Sequence, residues 1–400
     1  MNNSIAVQMI TTGPFQPVNV PLDVGGASRQ AFALCRQLAA HGVRTRMTSG
    51  RYSREQPPQQ MIENVYVEYM RTFWWVLGRR GFRALSKYLL LSDLFAYLVM
   101  NRHRYDIIHV HNMNQSAVTG VLVARLLNKP VIVKMTNSGY RNDIKRLFNR
   151  YGHNRADLML GCLRLCDRVV VLNELAREDA GNYGFSDEQI VNIPNGIDID
   201  GIISKRDYSI SKPVRLVFSG RMEEPKGVDV ILRALDILRK NRPDTLWRLT
   251  LLGSGSRISL YQTISQTTGV SDSVVFPGHI PDVIHELEKS DIFILPSRAE
   301  GMSNSLLEAM ACGMPCIATD IPGNNDLVQN RYNGLLVEVD NEAGIADAVI
   351  RLADDAVLRK KLGQAARTTV EDRFSIREVA LSYMRIYDRL INGPCPAKEK

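Results

Sequence analysis

The chain of 400 residues, 45% hydrophobic and 23% charged, is too long for one ordinary core and has the balance of a soluble protein with two domains of about 200 residues each. Its net charge of +8 is lopsided: residues 1–155 carry 21 Lys/Arg against 7 Asp/Glu and residues 156–400 carry 29 against 35, so a basic partner surface belongs to the N-terminal half. The six cysteines (35, 162, 166, 312, 316 and 395) have no histidine spaced to complete a zinc set, no basic-plus-apolar leader opens the chain, and the 13-residue run from Tyr88 to Met100 contains Asp93 and is too short to span a bilayer; structural thiols and a cytoplasmic protein are expected.

Ile5 to Ile10 has the length of a buried strand, and after the loop from Pro14 to Gly26 a helix runs from about Ala27 to Ala40 and stops at Gly42. The pair Gly25-Gly26 before that helix lets a ligand approach the backbone closely, with a plain turn as the alternative. Residues 71–104 then combine seven basic residues (Arg71, Arg79, Arg80, Arg83, Lys87, Arg102, Arg104) and one acid with Phe73, Trp74, Trp75, Phe82, Leu85, Tyr88 and Leu89. This is either a helix pair packed on the domain core or a segment that docks on an anionic membrane surface.

The strand at Tyr105-Asp-Ile-Ile leads into His109-Val-His111-Asn112 and puts His111 at its carboxyl end, where a ligand contact competes with a structural histidine. No carboxylate or third ligand is spaced to make a metal site there. Val131–Lys134 is the next strand, followed by Thr136-Asn137-Ser138-Gly139; Arg168–Leu172 is another; Ile190-Val-Asn-Ile-Pro194-Asn195-Gly196-Ile197-Asp198 closes the first domain. Asp198-Ile-Asp200 has the form of a metal-binding DxD but is an alternation in a polar linker, and Ser204–Pro213 reads as the interdomain hinge.

Val214–Ser219 restarts the pattern, with Gly220-Arg221 at its end and Pro225-Lys226-Gly227 before a helix to about Asn241. Arg221 can fork onto phosphate oxygens and Lys226 supplies a point charge beside a helix N-terminus, a pair able to stabilise a departing diphosphate. Trp247–Leu252 and the run from Val274 through Phe276 are further strands, ending at Gly253-Ser-Gly255 and at Gly278-His279-Ile280. Asp291–Pro296 is an apolar strand followed by Arg298-Ala-Glu300-Gly301-Met302-Ser303-Asn304-Ser305-Leu-Leu-Glu308, then by a stop at Gly313 and Pro315 and the next strand. Ser305 is the expected N-cap with Glu308 closing a capping box, and the helix start faces the strand ends, where backbone N–H groups favour a phosphate. The plain alternative gives Glu308 only a capping role and leaves Glu300 solvated. Arg377–Ile391 has a helical apolar pattern and is expected to return to the first domain, and the tail from Pro394 is expected to be disordered.

Glu300-Gly-x-x-x-x-x-x-Glu308-Ala-Met-Ala-Cys-Gly-x-Pro resembles the EX7E signature of family 4 retaining glycosyltransferases, and Gly220-Arg221-x-x-x-x-Lys226-Gly227, lying 79 residues before Glu300, resembles that family's diphosphate clamp. The likeness covers nearly the whole chain and is most specific from Val214 to Val337. It implies an α/β chain of two doubly wound Rossmann-like domains facing a cleft (GT-B): an acceptor-side domain at 1–200, a nucleotide-sugar domain at 201–376, and a C-terminal crossing helix with a tail at 377–400. It implies that Glu300 touches the donor sugar, Glu308 the ribose, Arg221 and Lys226 the diphosphate, and Ile280 the base. Gly301, Met302, Ser303 and Asn304 would line the donor site, Gly25-Gly26 would lie beside the diphosphate, and His111 beside the transferred sugar. Where the family often has a histidine and glycine, this chain has Asn137-Ser138-Gly139, so the acceptor side stays unassigned.

The implied activity is α-glycosyl transfer from a nucleotide diphosphate sugar to a saccharide or lipid-linked saccharide, in surface-polysaccharide biosynthesis, with no metal or other cofactor. The implied location is the inner face of the cytoplasmic membrane. A nucleotide-sugar epimerase of the same architecture is one competitor. A basic nucleic-acid-binding protein is another, and against it the basic residues form no recognisable binding motif, so no nucleic-acid partner is expected.

Overall fold

The computed structural model describes residues 4–14, 26–51, 56–71, 83–139 and 142–393. It divides into two compact units, Met1–Asp198 with Ile376–Lys400, and Ile199–Ser375. Each is an α/β unit with helical connections, its sheet wholly parallel in the second unit and parallel but for one edge pairing in the first.

The first unit holds β1 (Ala6–Pro14), β2 (Arg44–Arg51), β3 (Gln59–Ile62), β4 (Val65–Arg71), β5 (Ile107–His111), β6 (Val131–Lys134), β7 (Arg168–Val171) and β8 (Ile190–Asn192), in the order β3-β4-β2-β1-β5-β6-β7-β8. β5 and β6 are buried at every residue, which is why they read in the sequence as continuous apolar runs. β3 and β4 form the antiparallel edge, joined by Glu63 and Asn64 at φ of 43° and 66°, as a tight hairpin turn demands. The order reverses between β1 and β5, so their carboxyl ends form the switch point where open sheets bind ligands, and β5 ends there with His111.

Two helices, Gly26–Ala40 and Ile376–Asn392, share one core with this sheet: Leu34, Cys35 and Leu38 from the first and Val379, Ala380, Tyr383 and Tyr387 from the second pack with Val7, Met9, Ile107 and Ile132. Of the basic aromatic segment at 71–104, residues 72–82, including Trp74, Trp75, Arg79 and Arg80, lie outside the described residues. Arg71 ends β4, the helix Arg83–Met100 buries Leu94 and Leu98 and exposes Tyr88, Phe95 and Met100, and Arg102–Arg104 form a short 3-10 turn. Gly25 and the tail 394–400 also lie outside the described residues, and Gly26 opens the first helix.

The second unit holds β9 (Val214–Ser219), β10 (Trp247–Leu252), β11 (Val274–Gly278), β12 (Ile292–Leu295), β13 (Cys316–Thr319) and β14 (Leu335–Val337). Every pairing is parallel and the order is β11-β10-β9-β12-β13-β14, the 3-2-1-4-5-6 arrangement of nucleotide-binding sheets. Its switch point lies between the carboxyl ends of β9 and β12.

Candidate active site

Of the residues singled out in the second unit, Lys226 and Glu300 meet at that switch point. Arg221 follows β9 by two positions and is exposed; Lys226 ends a short 3-10 turn, Glu224–Lys226, ahead of the helix Val228–Asn241. From the loop after β12, Glu300 Oε1 accepts from Lys226 Nζ at 2.5 Å and from Ser297 Oγ at 2.7 Å. Ser297 is held in turn, its carbonyl accepting from Thr319 Oγ1 at the end of β13 at 2.5 Å. Both charged side chains are largely withdrawn from water, Lys226 being 16% and Glu300 9% exposed, so the pair acts in a medium where each charge counts for more than in bulk solvent.

The scaffold is fixed from two sides. Arg298 donates to Asp229 Oδ1 at 3.0 Å and Oδ2 at 2.8 Å, to Asp340 Oδ1 at 2.7 Å and to the Glu224 carbonyl at 2.8 Å, tying the β12 loop to the helix that Lys226 precedes. Burial pushes the Asp229 carboxyl up, but hydrogen bonds from Arg298 and Arg233 outweigh it and hold the group below its ordinary value. Gly227, at φ of 65°, lies so close to β12 that a Cβ there would stand 2.0 Å from the Pro296 carbonyl oxygen.

One local expectation is corrected. The helix carrying Glu308 runs Asn304–Ala311 and its N-cap is Ser303, in extended conformation with its hydroxyl accepting from Leu306 N at 3.4 Å; Ser305 lies inside the first turn. Ser303, Asn304 and Ser305 are all competent cap residues, and Ser303 is the one whose backbone is extended with the helix directly after it. Glu308 therefore stands five residues past the cap, and no capping box forms. It is half-buried, as are Gly301 and Asn304, while Met302 and Ser303 are buried; Ile280, two residues beyond β11, is half-buried and His279 exposed.

In the first unit, His111 is 1% exposed and neither ring nitrogen has a hydrogen-bond partner. Burial, then His109 and Lys134, hold its imidazole well below the ordinary value. The next residue, Asn112, takes φ of 98° and its side-chain oxygen accepts from Thr136 Oγ1 at 3.0 Å. The loop after β6 is organised by Asp143, which accepts from Thr136 N at 2.6 Å and from Asn137 Nδ2 at 2.7 Å. Asp198, of the DxD sequence, is paired with Arg36.

A profile described as Glycosyltransferase Family 4 matches residues 24–200, and one described as Glycosyl transferases group 1 matches residues 213–355. Between them they take in most of the chain. It belongs to the family 4 glycosyltransferases. This glycosyltransferase is 28% identical over 394 residues to a D-inositol 3-phosphate glycosyltransferase of Paenarthrobacter aurescens, covering 93% of this chain and 94% of that one. It is 27% identical over 304 residues to the UDP-Gal:alpha-D-GlcNAc-diphosphoundecaprenol alpha-1,3-galactosyltransferase of Escherichia coli, covering 71% and 76%. Among solved structures, Anabaena HepE in complex with UDP superposes with a TM-score of 0.75 at 16% identity, covering 96% of this chain and all of that one. Sucrose-phosphate synthase of Thermosynechococcus elongatus superposes at 0.79 and 20% identity, covering 98% and 100%. At those identities the likeness establishes the fold, which is GT-B.

Three features of the glycosyltransferase were not singled out from sequence. Arg298 is an ordinary loop arginine until Asp229 and Asp340, 69 and 42 residues away, are seen beside it. Ser297 gives no signal beyond standing three residues before Glu300. Lys134 is one charge at the end of an otherwise apolar strand, and that polar residue in a run of buried-strand length was the available sign.

Proposed function

We propose that this enzyme is a retaining transferase, moving a sugar from a nucleotide diphosphate donor to an acceptor hydroxyl in α linkage, without a metal ion. The observation that carries the reading is the Lys226–Glu300 pair at the switch point of the second sheet, with Arg221 at the end of β9. Arg221 and Lys226 meet the charge that develops on the departing diphosphate, Glu300 holds the sugar, Glu308 the ribose hydroxyls, Ile280 the base, and His111 a hydroxyl at the reacting centre. Gly25-Gly26 and the backbone of 301–304 complete the donor contacts. The relatives support a nucleotide-sugar donor, since one solved neighbour holds UDP and another relative is named for a UDP-sugar.

The acceptor is a lipid-linked saccharide of surface-polysaccharide assembly, reached from the inner face of the cytoplasmic membrane. That reading is supported by the E. coli relative's diphosphoundecaprenol acceptor, by the basic first 155 residues, and by the exposed Tyr88, Phe95 and Met100 on one helix. No helix among the described residues is long and apolar enough to cross a membrane.

Thermal-shift screening with UDP-, GDP- and ADP-sugars identifies the donor, because a ligand that binds only the folded state raises Tm. Transfer to an undecaprenyl-diphosphate saccharide in chelator, with the product anomer read by NMR, then tests the rest. A β product, metal-reversible loss of activity, or isomerisation of donor without acceptor would sink the reading. Co-sedimentation with anionic but not neutral liposomes, lost at high salt, tests the membrane contact.

A further inference from the structure

Beneath the carboxyl end of β5 lies a set of polar side chains of which the proposed transfer uses only His111. His111 stands opposite Lys134 in the β5–β6 register, and His109 shares their face of the sheet. The two imidazoles are 4.6 Å apart between centroids, Tyr383 lies 4.9 Å from His109, and Lys134 Nζ is 5.9 Å from the Tyr383 ring centroid. Lys134 is 2% exposed and donates to Asn195 Oδ1 at 3.0 Å. His109 Nδ1 is satisfied by the Tyr387 hydroxyl at 2.7 Å, whereas both nitrogens of His111, His109 Nε2 and the Tyr383 hydroxyl are buried without a partner. Unpartnered polar atoms in such a place call for an explanation.

We propose that Lys134 is a positioning residue for glycosyl transfer, deciding whether the His111 imidazole is offered to a substrate hydroxyl at the switch point or drawn back onto the lysine; this role rests on the function proposed above. As an amine, Lys134 is satisfied by Asn195 and leaves His111 unengaged. As an ammonium it has three donors with Asn195 as the acceptor already bonded, and the unpartnered ring nitrogens of His111, its register partner on β5, offer lone pairs. A proton gained by Lys134 therefore costs the strand end its available ring nitrogen.

The groups facing the cluster leave Lys134 as the one that titrates near neutrality. On its own sheet, His109 and His111 are held uncharged by burial and by Lys134's own charge. Tyr383 and Tyr387, from the C-terminal helix, are pushed up by burial and stay neutral, as does Cys35 from the helix Gly26–Ala40; Asn195, from the turn after β8, does not titrate. Burial alone brings Lys134 down to about 7.

The test reads the imidazole and the reaction separately. In the ligand-free protein labelled with 15N at histidine, with His111 assigned through His111→Gln, the His111 ring nitrogens should shift as pH passes through about 7 in the wild type, and the shift should vanish in Lys134→Met. Turnover should show an acid limb in kcat at the same pH, displaced downward by about one unit or more in Lys134→Met and in Lys134→Gln, with the donor KM little changed. Two variants guard against a folding failure, since Gln keeps a hydrogen bond to Asn195. A His111 signal indifferent to pH in the wild type, a limb that stays in place in both variants, or an even loss of kcat at every pH would overturn the role. Intact imidazole behaviour in a protein that transfers no sugar from any donor would instead overturn the functional reading beneath it.

Discussion

The Lys226 ammonium and the Glu300 carboxylate meet at 2.5 Å, although 74 residues separate them in the chain. β9 and β12 are hydrogen-bonded neighbours, so the segments that leave their carboxyl ends are bound to converge, and the two charges that the proposed reaction needs are delivered to one point. Each member also holds the other in place. Glu300→Gln should therefore lower kcat far more than donor affinity, and Lys226→Ala should cost about 3 kcal/mol or more in kcat/KM, the scale of a lost preorganised donor. The double variant should lose less than the two single losses together, because each single change already strands the partner. Steady-state kinetics on the four proteins checks this, and near wild-type turnover in Glu300→Gln would remove the carboxylate from the mechanism.

Arg298 acts on the same site without reaching it. Its fork on Asp229 is two-pronged and largely screened from water, with 22% and 18% of the two side chains exposed. Arg298→Ala should remove about 2 kcal/mol of stability, as expected for charge-assisted hydrogen bonds, and Arg298→Lys should recover little because an ammonium cannot match the fork. Asp229 has its folded value depressed, so its contribution is present above its unfolded value and fades as pH falls through the folded one. Chemical denaturation at pH 7 and at about pH 3 should show the difference between wild type and Arg298→Ala shrinking on acidification.

Much of this was legible because parallel strands are buried on both faces and print themselves as apolar runs; β5, β6, β9 and β12 were all visible for that reason. The edge was not. β2 reads Arg-Thr-Arg-Met-Thr-Ser-Gly-Arg, too polar to signal a strand, yet it is buried over most of its length between β1 and β4. The misplaced cap at Ser305 has a local cause, three consecutive competent residues at 303–305, which only the backbone conformation separates. Arg298 and Lys134 were illegible for a different reason: their meaning lies in partners brought by the tertiary fold, Asp229 and Asp340 for one and His111 and Asn195 for the other.

Lys134 also leaves a mark on stability. Its folded value, about 7, lies below the ordinary 10.5, so between those limits the unfolded chain binds the extra proton. Stability must then rise with pH across that window, by up to about 1.4 kcal/mol per unit, and be flat in this contribution below it. Urea midpoints of wild type and Lys134→Met from pH 6 to about pH 10 should converge at the high end and diverge toward neutrality, with the methionine variant the more stable there. Parallel profiles would show that Lys134 reaches water when charged.

Gly227 separates two kinds of glycine requirement. Its φ of 65° is strained for any L side chain, and Gly42, at φ of 83°, shares that constraint but has nothing within 4 Å of where a Cβ would stand. Gly42→Ala should thus measure the conformational term alone, about 1 to 2 kcal/mol, with kcat unaffected. Gly227→Ala meets the same term and also places its Cβ 2.0 Å from the Pro296 carbonyl oxygen, backbone that cannot swing aside. Relief requires the turn carrying Lys226 to move away from β12, and with it the ammonium away from Glu300. Gly227→Ala should therefore lower Tm by clearly more than Gly42→Ala and, unlike it, reduce kcat toward the level of Lys226→Ala. Equal Tm losses in the two variants, or full turnover in Gly227→Ala, would show that the packing of this turn against β12 does not set the position of Lys226.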